Sequence, residues 1–275
     1  MTMLQKIIKY FALALAAFLI FSIISGILGG LYFFTGVLGL QKHHSETIKN
    51  EMSVVNFEES NINSLDIDVS FTNLIIKSGE SLKIETNNEN INYQQNDLNL
   101  QIKEKTHNWF FKNNKGDLIL YIPDGLEFEK VKINAGAGKI QIENINTKKL
   151  SLELGTGETT IEKLNAVDNC KIESGAGKVD IYSGKINNLN LDIGIGKFKL
   201  TSSIIGNSKI NAGIGSLELN IQGNKEDYKI KADKGIGTIK IDGKNVEDNY
   251  VYGDGENEVK IEGGIGSISV DFKEE

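Results

Sequence analysis

After residue 50 the chain alternates apolar and polar residues in short runs. Leu65-Asp66-Ile67-Asp68-Val69 and Leu98-Asn99-Leu100-Gln101-Ile102 are examples. Alternation with period two predicts strands with one buried face. No stretch beyond residue 40 has convincing helical periodicity.

The alternation is organised by a GxG pair that recurs seven times. Its first glycines are Gly136, Gly155, Gly175, Gly194, Gly213, Gly235 and Gly264, spaced 19, 20, 19, 19, 22 and 29 residues apart. A fixed period near 20 is the signature of stacked repeats. The flanks repeat with it. Three residues before the first Gly stand Ile133, Leu152, Ile172, Leu191, Ile210, Ala232 and Ile261. Five before it, the column runs from Val131 and Leu150 through Cys170 to Val259. Four after it stand Ile140, Thr159, Val179, Phe198, Leu217, Ile239 and Ile268, and six after it another aliphatic column runs from Ile142 to Val270. Each repeat therefore predicts two short strands on either side of a glycine corner. A coil of about 20 residues cannot bury its own apolar face, so coils must stack and pair with their neighbours. The expected fold is all-β: a single-stranded, β-helix-like solenoid of roughly 20-residue coils, each pairing with the next. The Ala, Thr or Ile between the glycines is expected to point inward.

The strands at 65, 82, 98 and 118 lack the glycine corner and read as irregular coils of the same kind. The expected organisation is irregular N-terminal coils or a cap over 51–130 and a regular solenoid over 131–275.

Residues Tyr10 to Leu40 carry no charged side chain. A bilayer core of about 30 Å needs about 20 helical residues, so this run suffices for one transmembrane helix. A cleaved signal peptide is the alternative, but its cleavage letters Ala14-Leu15-Ala16 lie inside the apolar run. Lys6 and Lys9 precede the span, which places residues 1–9 in the cytoplasm by the positive-inside rule. Residues 41–50 then form a stalk and the rest is extracytoplasmic. The expected location is the cell membrane, single-pass, with the membrane contacted through the N-terminal helix.

Composition narrows the functional classes. The chain has 275 residues, 29 Gly, one Pro, one Cys and a net charge of −7. Removing the two lysines of the first 40 residues leaves −9 for the remainder. An acidic ectodomain without Arg is a poor nucleic-acid binder. One Cys excludes an internal disulfide framework. The GxG pairs open strands and lack the third glycine, so they are not a dinucleotide fingerprint.

At Tyr121-Ile122-Pro123-Asp124-Gly125, followed by Ile133-Asn134-Ala135-Gly136-Ala137-Gly138-Lys139-Ile140, the chain resembles the bacterial putative-adhesin β-solenoid family, also called toast-rack domains. The resemblance covers roughly residues 60–272. It implies a membrane-anchored envelope protein, in some cases tied to envelope-stress systems, and brings no catalytic motif. The long interval before the last GxG departs from the regular pattern.

Candidate chemistry is sparse. Cys170 occupies an aliphatic column and reads as a buried, inert thiol. His43 and His44 read as solvated linker residues. Two outward columns carry charge: an acidic one (Asn134, Glu153, Glu173, Asp192, Asn211, Asp233, Glu262) and a lysine-rich one beside it (Lys132, Ser151, Lys171, Asn190, Lys209, Lys231, Lys260). Like charges about 4.8 Å apart repel by roughly 0.9 kcal/mol in water, and the lysines nearly cancel this. No metal or cofactor is therefore required. The cluster His107-Asn108-Trp109-Phe110-Phe111 is either a lid over the end of the solenoid or a partner-binding patch. The insertion 242–258, with Tyr250 and Tyr252, reads as a protruding hairpin or an irregular coil. Candidate partner-binding residues are thus Trp109, Phe110, Phe111, Tyr250 and Tyr252.

The expected function is a non-enzymatic, adhesin-like or envelope-stress-associated surface module with a protein or cell-wall partner. The alternatives are a self-assembling scaffold, opposed by charge at the C-terminal edge (Asp271 to Glu275), and a carbohydrate-active enzyme using the acidic column.

Overall fold

The structure is a computed structural model that describes residues 52–57, 62–105 and 116–273. The described residues form an all-β, solenoid-like body whose strands join in one large sheet. No helix among them is long and apolar enough to cross a membrane. The span expected at 10–40, the stalk and the aromatic cluster Trp109, Phe110 and Phe111 lie outside the described residues.

The regular part runs through β8 (Phe128–Ile181), β9 (Gly184–Asn187), β10 (Leu189–Ile205) and β11 (Asn207–Gln222). Neighbouring turns of chain pair in parallel, displaced by one repeat. Leu191 lies opposite Ile172 on one side and Ile210 on the other. Phe198 likewise lies opposite Val179 and Leu217. Because the displacement equals the repeat, each apolar side chain meets its own column in the next turn. All four columns expected to face inward are buried, including the polar Thr159 and Ser208. β9 adds a third wall, pairing with residues 164–166 of β8 and 203–205 of β10, over buried Leu164, Ala166, Ile186 and Ile204.

The glycine pairs make the corner possible by close approach. A Cβ on Gly196 would overlap the carbonyl oxygen of Gly177, and one on Gly215 would overlap that of Gly196. Their φ values, +137° and +136°, lie where L side chains are rarely found. Each corner thus rests on the backbone of the one before.

The residue between the glycines does not point inward. Ile195, Ile214, Ile265 and Ile236 are 58%, 49%, 50% and 75% exposed. The first strand buries odd positions counted from the first glycine, and the second buries even ones. This switch of parity occurs at the first glycine, so the residue after it already follows the second strand and faces solvent.

Turns do not stack in sequence order at the C-terminal end. β16 (Asn257–Glu262) and β17 (Ile265–Lys273) carry the last glycine pair. They insert between β11 and the earlier strands β12 (Tyr228–Asp233) and β13 (Ile236–Ile241). Ile261 lies opposite both Ile210 and Ala232, and Ile268 opposite both Leu217 and Ile239. The 242–256 insertion allows this. Asp242 and Gly243, both at positive φ, turn the chain into β14 (Lys244–Asn245), which runs back along β13. β15 (Tyr250–Tyr252) then runs antiparallel along β12. An antiparallel return needs only a tight turn, and it leaves the chain placed to re-enter one layer inward. Asp271, Phe272 and Lys273 lie beside Asn220, Ile221 and Gln222 of β11. β14 and β15 pair along β13 and β12 and line that edge of the described residues.

The N-terminal end is built likewise. β2 (Ser64–Val69) lies between β8 and β6 (Asn99–Glu104). β3 (Asn73–Gly79) lies between β8 and β7 (Asp117–Pro123). Antiparallel strands lie outside them: β5 (Ile91–Asn96) on β6, β4 (Lys83–Thr86) on β7, and β1 (Ser53–Asn56) on β4.

Candidate functional site

The outward columns of the stack present two faces. On the first, the acidic column is half-buried and laced to the lysine column. Lys171 Nζ lies 2.6 Å from Glu173, Lys260 Nζ 2.9 Å from Glu262, Lys209 Nζ 3.5 Å from Glu262 and Lys132 Nζ 3.8 Å from Glu153. Asp192 accepts a 2.5 Å hydrogen bond from the side-chain amide of Asn211. The hydrogen bond from Lys260 holds the Glu262 carboxyl below its usual range, and the hydrogen bonds to Glu262 and Glu173 push Lys260 and Lys171 up.

This column forms one wall of an open groove of about 660 Å³. Asp68, Glu153, Glu173 and Asp192 line it, together with Leu154, Ile193 and the first glycines of four corners. The groove exists because parallel registry repeats one cross-section turn after turn. The carboxylates stand in a row and do not converge. Among the described residues, no group of three or more His, Cys, Asp and Glu side chains could hold a metal ion.

The second face is the corner itself. Ile195, Ile214, Ile265 and Ile236 stand in register in four successive layers. The residue after the second glycine changes along this face. It is Lys139, Glu158, Lys178 and Lys197 in the first four corners, then Ser216, Ser267 and Thr238 in the layers beyond. Charge therefore leaves the corner where the isoleucines gather. The sequence contained this signal, but the parity switch at the glycine hid which way the isoleucines face.

The aromatic candidates separate. Tyr250 is 38% exposed on β15. Tyr252 packs on Phe272 with ring centroids 5.6 Å apart, and Phe272 also meets Tyr228 at 5.4 Å. Tyr252 thus pins the insertion to the re-entrant strand β17. Cys170 is fully buried, and desolvation pushes its thiol up to about 12.

One feature had no counterpart in the expectations from sequence. Glu104 Oε2 accepts the backbone N–H groups of Ser70, Phe71 and Thr72 at 2.7, 2.9 and 3.2 Å. Asn88 Nδ2 donates to its other oxygen at 3.2 Å. No spacing rule links a Glu to amides more than 30 residues away.

These features define a class: an all-β repeat stack with layered apolar columns and glycine-lined corners. The Toastrack DUF4097 family model matches residues 62–264, and the chain belongs to that family. Among solved structures, it is similar to a "putative cell adhesion protein" from Clostridium sporogenes at 17% identity, covering 81% of this chain and 99% of that one, with a TM-score of 0.36. A "putative adhesin" from Bacteroides fragilis is 12% identical over 81% and 98%, with a TM-score of 0.39. A "putative lipid binding protein" from Parabacteroides distasonis is 13% identical over 81% and 97%, with a TM-score of 0.33. No curated protein matches.

Proposed function

We propose that this chain is a non-enzymatic, adhesin-like surface module, held to the cell membrane by residues 10–40, with residues 52–273 outside the membrane. The observation that carries this reading is the groove beside the acidic column. It is long, open and built from repeated side chains, with its carboxylates in a row. Such a face suits an extended protein or cell-wall polymer lying along it, whereas catalysis needs groups that converge on one reacting atom. The uncharged run at 10–40 and the family resemblance support placement at the envelope.

The test has two arms. Protease added to intact cells should digest residues 52–273, and protection of that region would refute the topology. Isolated cell walls and surface proteins should retain the wild-type full chain better than a Glu153→Lys, Asp192→Lys variant. Equal retention would remove the groove as the binding face.

A further inference from the structure

Asp-Gly pairs occur three times in the chain, at 124–125, 242–243 and 254–255. An Asp carboxyl lies within reach of the amide nitrogen that follows it, and a Gly there has no Cβ to block the approach. By sequence the three pairs are equal, but the structure separates them. Asp242 Oδ1 accepts the N–H of Phe272 at 3.2 Å, which ties that carboxylate to β17. The Gly255 N–H donates to the Tyr228 oxygen at 3.3 Å, and a Cβ on Gly255 would overlap the backbone of Asp227 and Tyr228, so that amide is tied and packed. Asp124 and Gly125 are both exposed in the turn between β7 and β8, and a Cβ on Gly125 would meet nothing within 4 Å. The Leu126 N–H donates to the Pro123 oxygen at 3.2 Å and closes the turn around them. No hydrogen bond among the described residues engages the Asp124 carboxylate or the Gly125 N–H.

We propose that Asp124 is a site of spontaneous backbone modification, converted through a cyclic imide to isoaspartate. Gly125 N attacks Asp124 Cγ. The N–Cγ bond forms as the carboxyl hydroxyl leaves with the amide proton as one water. Water then adds back to the imide. Opening at Cγ returns the original Asp124. Opening at the former peptide carbonyl leaves the chain running through Cγ, with the α-carboxylate as the side group. The sum is an isomerisation that needs no reagent but water. A hydrogen bond that must break before attack slows such a step about fivefold. Asp242 and Gly255 each carry one, and the pair at 124–125 carries none.

The isomer gains one backbone atom between β7 and β8. The strands on either side are fixed by long registers, β7 on β3 from Asp117 to Pro123 and β8 on β2 from Lys130 to Ala135. The exposed turn takes up the extra length, so the modification ages the chain without unfolding it.

Peptide mapping of the full chain in detergent micelles, after prolonged incubation at neutral pH, tests this. An isoaspartyl peptide keeps its mass and shifts in retention. In the folded chain isoaspartate should build up at 124 at least about fivefold faster than at 242 or 254. In denaturing urea the three rates should converge, because the ties at 242 and 255 are gone. Hydroxylamine, which cleaves cyclic imides, should cut the folded chain chiefly between 124 and 125. Asp124→Glu, whose longer arm disfavours ring closure, should keep the circular dichroism spectrum and lose that cut. A folded chain in which 124 isomerises no faster than the other two pairs overturns the proposal. A preference for 124 that persists undiminished in urea also overturns it, by assigning the difference to sequence instead of structure.

Discussion

The carboxylate of Glu104 accepts the backbone N–H of Phe71 at 2.9 Å, across 33 residues of chain. Phe71 sits at the corner between β2 and β3, where later turns use a glycine pair. Gly136 of the next layer rests against the carbonyl oxygen of Ser70. On the other side of that corner, β6 ends at Glu104, and a side chain takes up amides that backbone carbonyls meet elsewhere. Charge-assisted bonds of this kind outlast their neutral counterparts, because the alternative is an unpaired donor.

Glu104→Ala should therefore loosen the N-terminal end. Three amides lose their acceptor, but Phe71 is 40% exposed and water replaces part of what is lost. The expected cost is about 2 kcal/mol, read as a lower urea midpoint with an unchanged slope. Glu104→Gln keeps one oxygen acceptor and should lose about half as much. A midpoint unchanged in Glu104→Ala would show that these bonds contribute nothing net.

Much of the fold is legible in the sequence because a stacked repeat writes each contact several times. Ile133, Ile140 and Ile142 declare their burial through their counterparts in every other turn. Three things are not legible. The order of turns at the C-terminal end depends on how residues 242–256 travel, and no repeat encodes that path. The outward aim of Ile214 depends on a parity switch within one glycine. The role of Glu104 depends on a single distant corner with no copies to average over. Of the candidate aromatics, Tyr252 proves to pack on Phe272, a contact that follows from the re-entrant strand and not from spacing.

Glycine at the corners should be close to irreplaceable. In Gly215→Ala the new Cβ falls on the carbonyl of Gly196, itself fixed by the layer below, and the φ of +136° adds strain. A loss of about 4 kcal/mol or failure to fold is expected. Gly125→Ala is the control. It also has positive φ, +85°, but its Cβ would enter open space, so only the backbone term of about 1–2 kcal/mol applies. Equal costs at the two sites would mean that stacking contact is not what selects glycine.

The single thiol should be silent in the native state. Cys170 is fully buried and its thiol is pushed up to about 12 by desolvation, so almost none is thiolate near neutral pH. A disulfide reagent at pH 8 should titrate no thiol in buffer and one in denaturing urea. Rapid reaction of the folded chain would show that the wall at Cys170 opens. Cys170→Val should fold normally, since the column is otherwise mostly aliphatic.

Acid should destabilise the fold through its surface carboxylates. The hydrogen bond from Lys199, at 2.7 Å, is the main reason that the Glu218 carboxyl lies below its ordinary 4.5, and the amide of Asn220 adds to it. A carboxyl depressed in the folded state binds protons less readily than in the unfolded chain. Its contribution is thus complete above about pH 4.5 and is lost as pH falls through and below that value. Glu85, Glu258 and Glu262 are depressed in the same direction, each chiefly by a lysine hydrogen bond. Lys199 is raised above 10.5 mainly by Glu218, so its share is complete below 10.5 and fades as pH rises past it. The pair is about one-third exposed, which limits its worth to under about 1 kcal/mol and makes it sensitive to salt. Urea midpoints should accordingly be flat from about pH 5 to 10 and fall below about pH 4.5. Glu218→Gln should lower the plateau slightly and make the acid fall shallower, as should added sodium chloride. An acid limb of unchanged steepness in Glu218→Gln would assign the loss to the other carboxylates and leave the Lys199 pair without a role in stability.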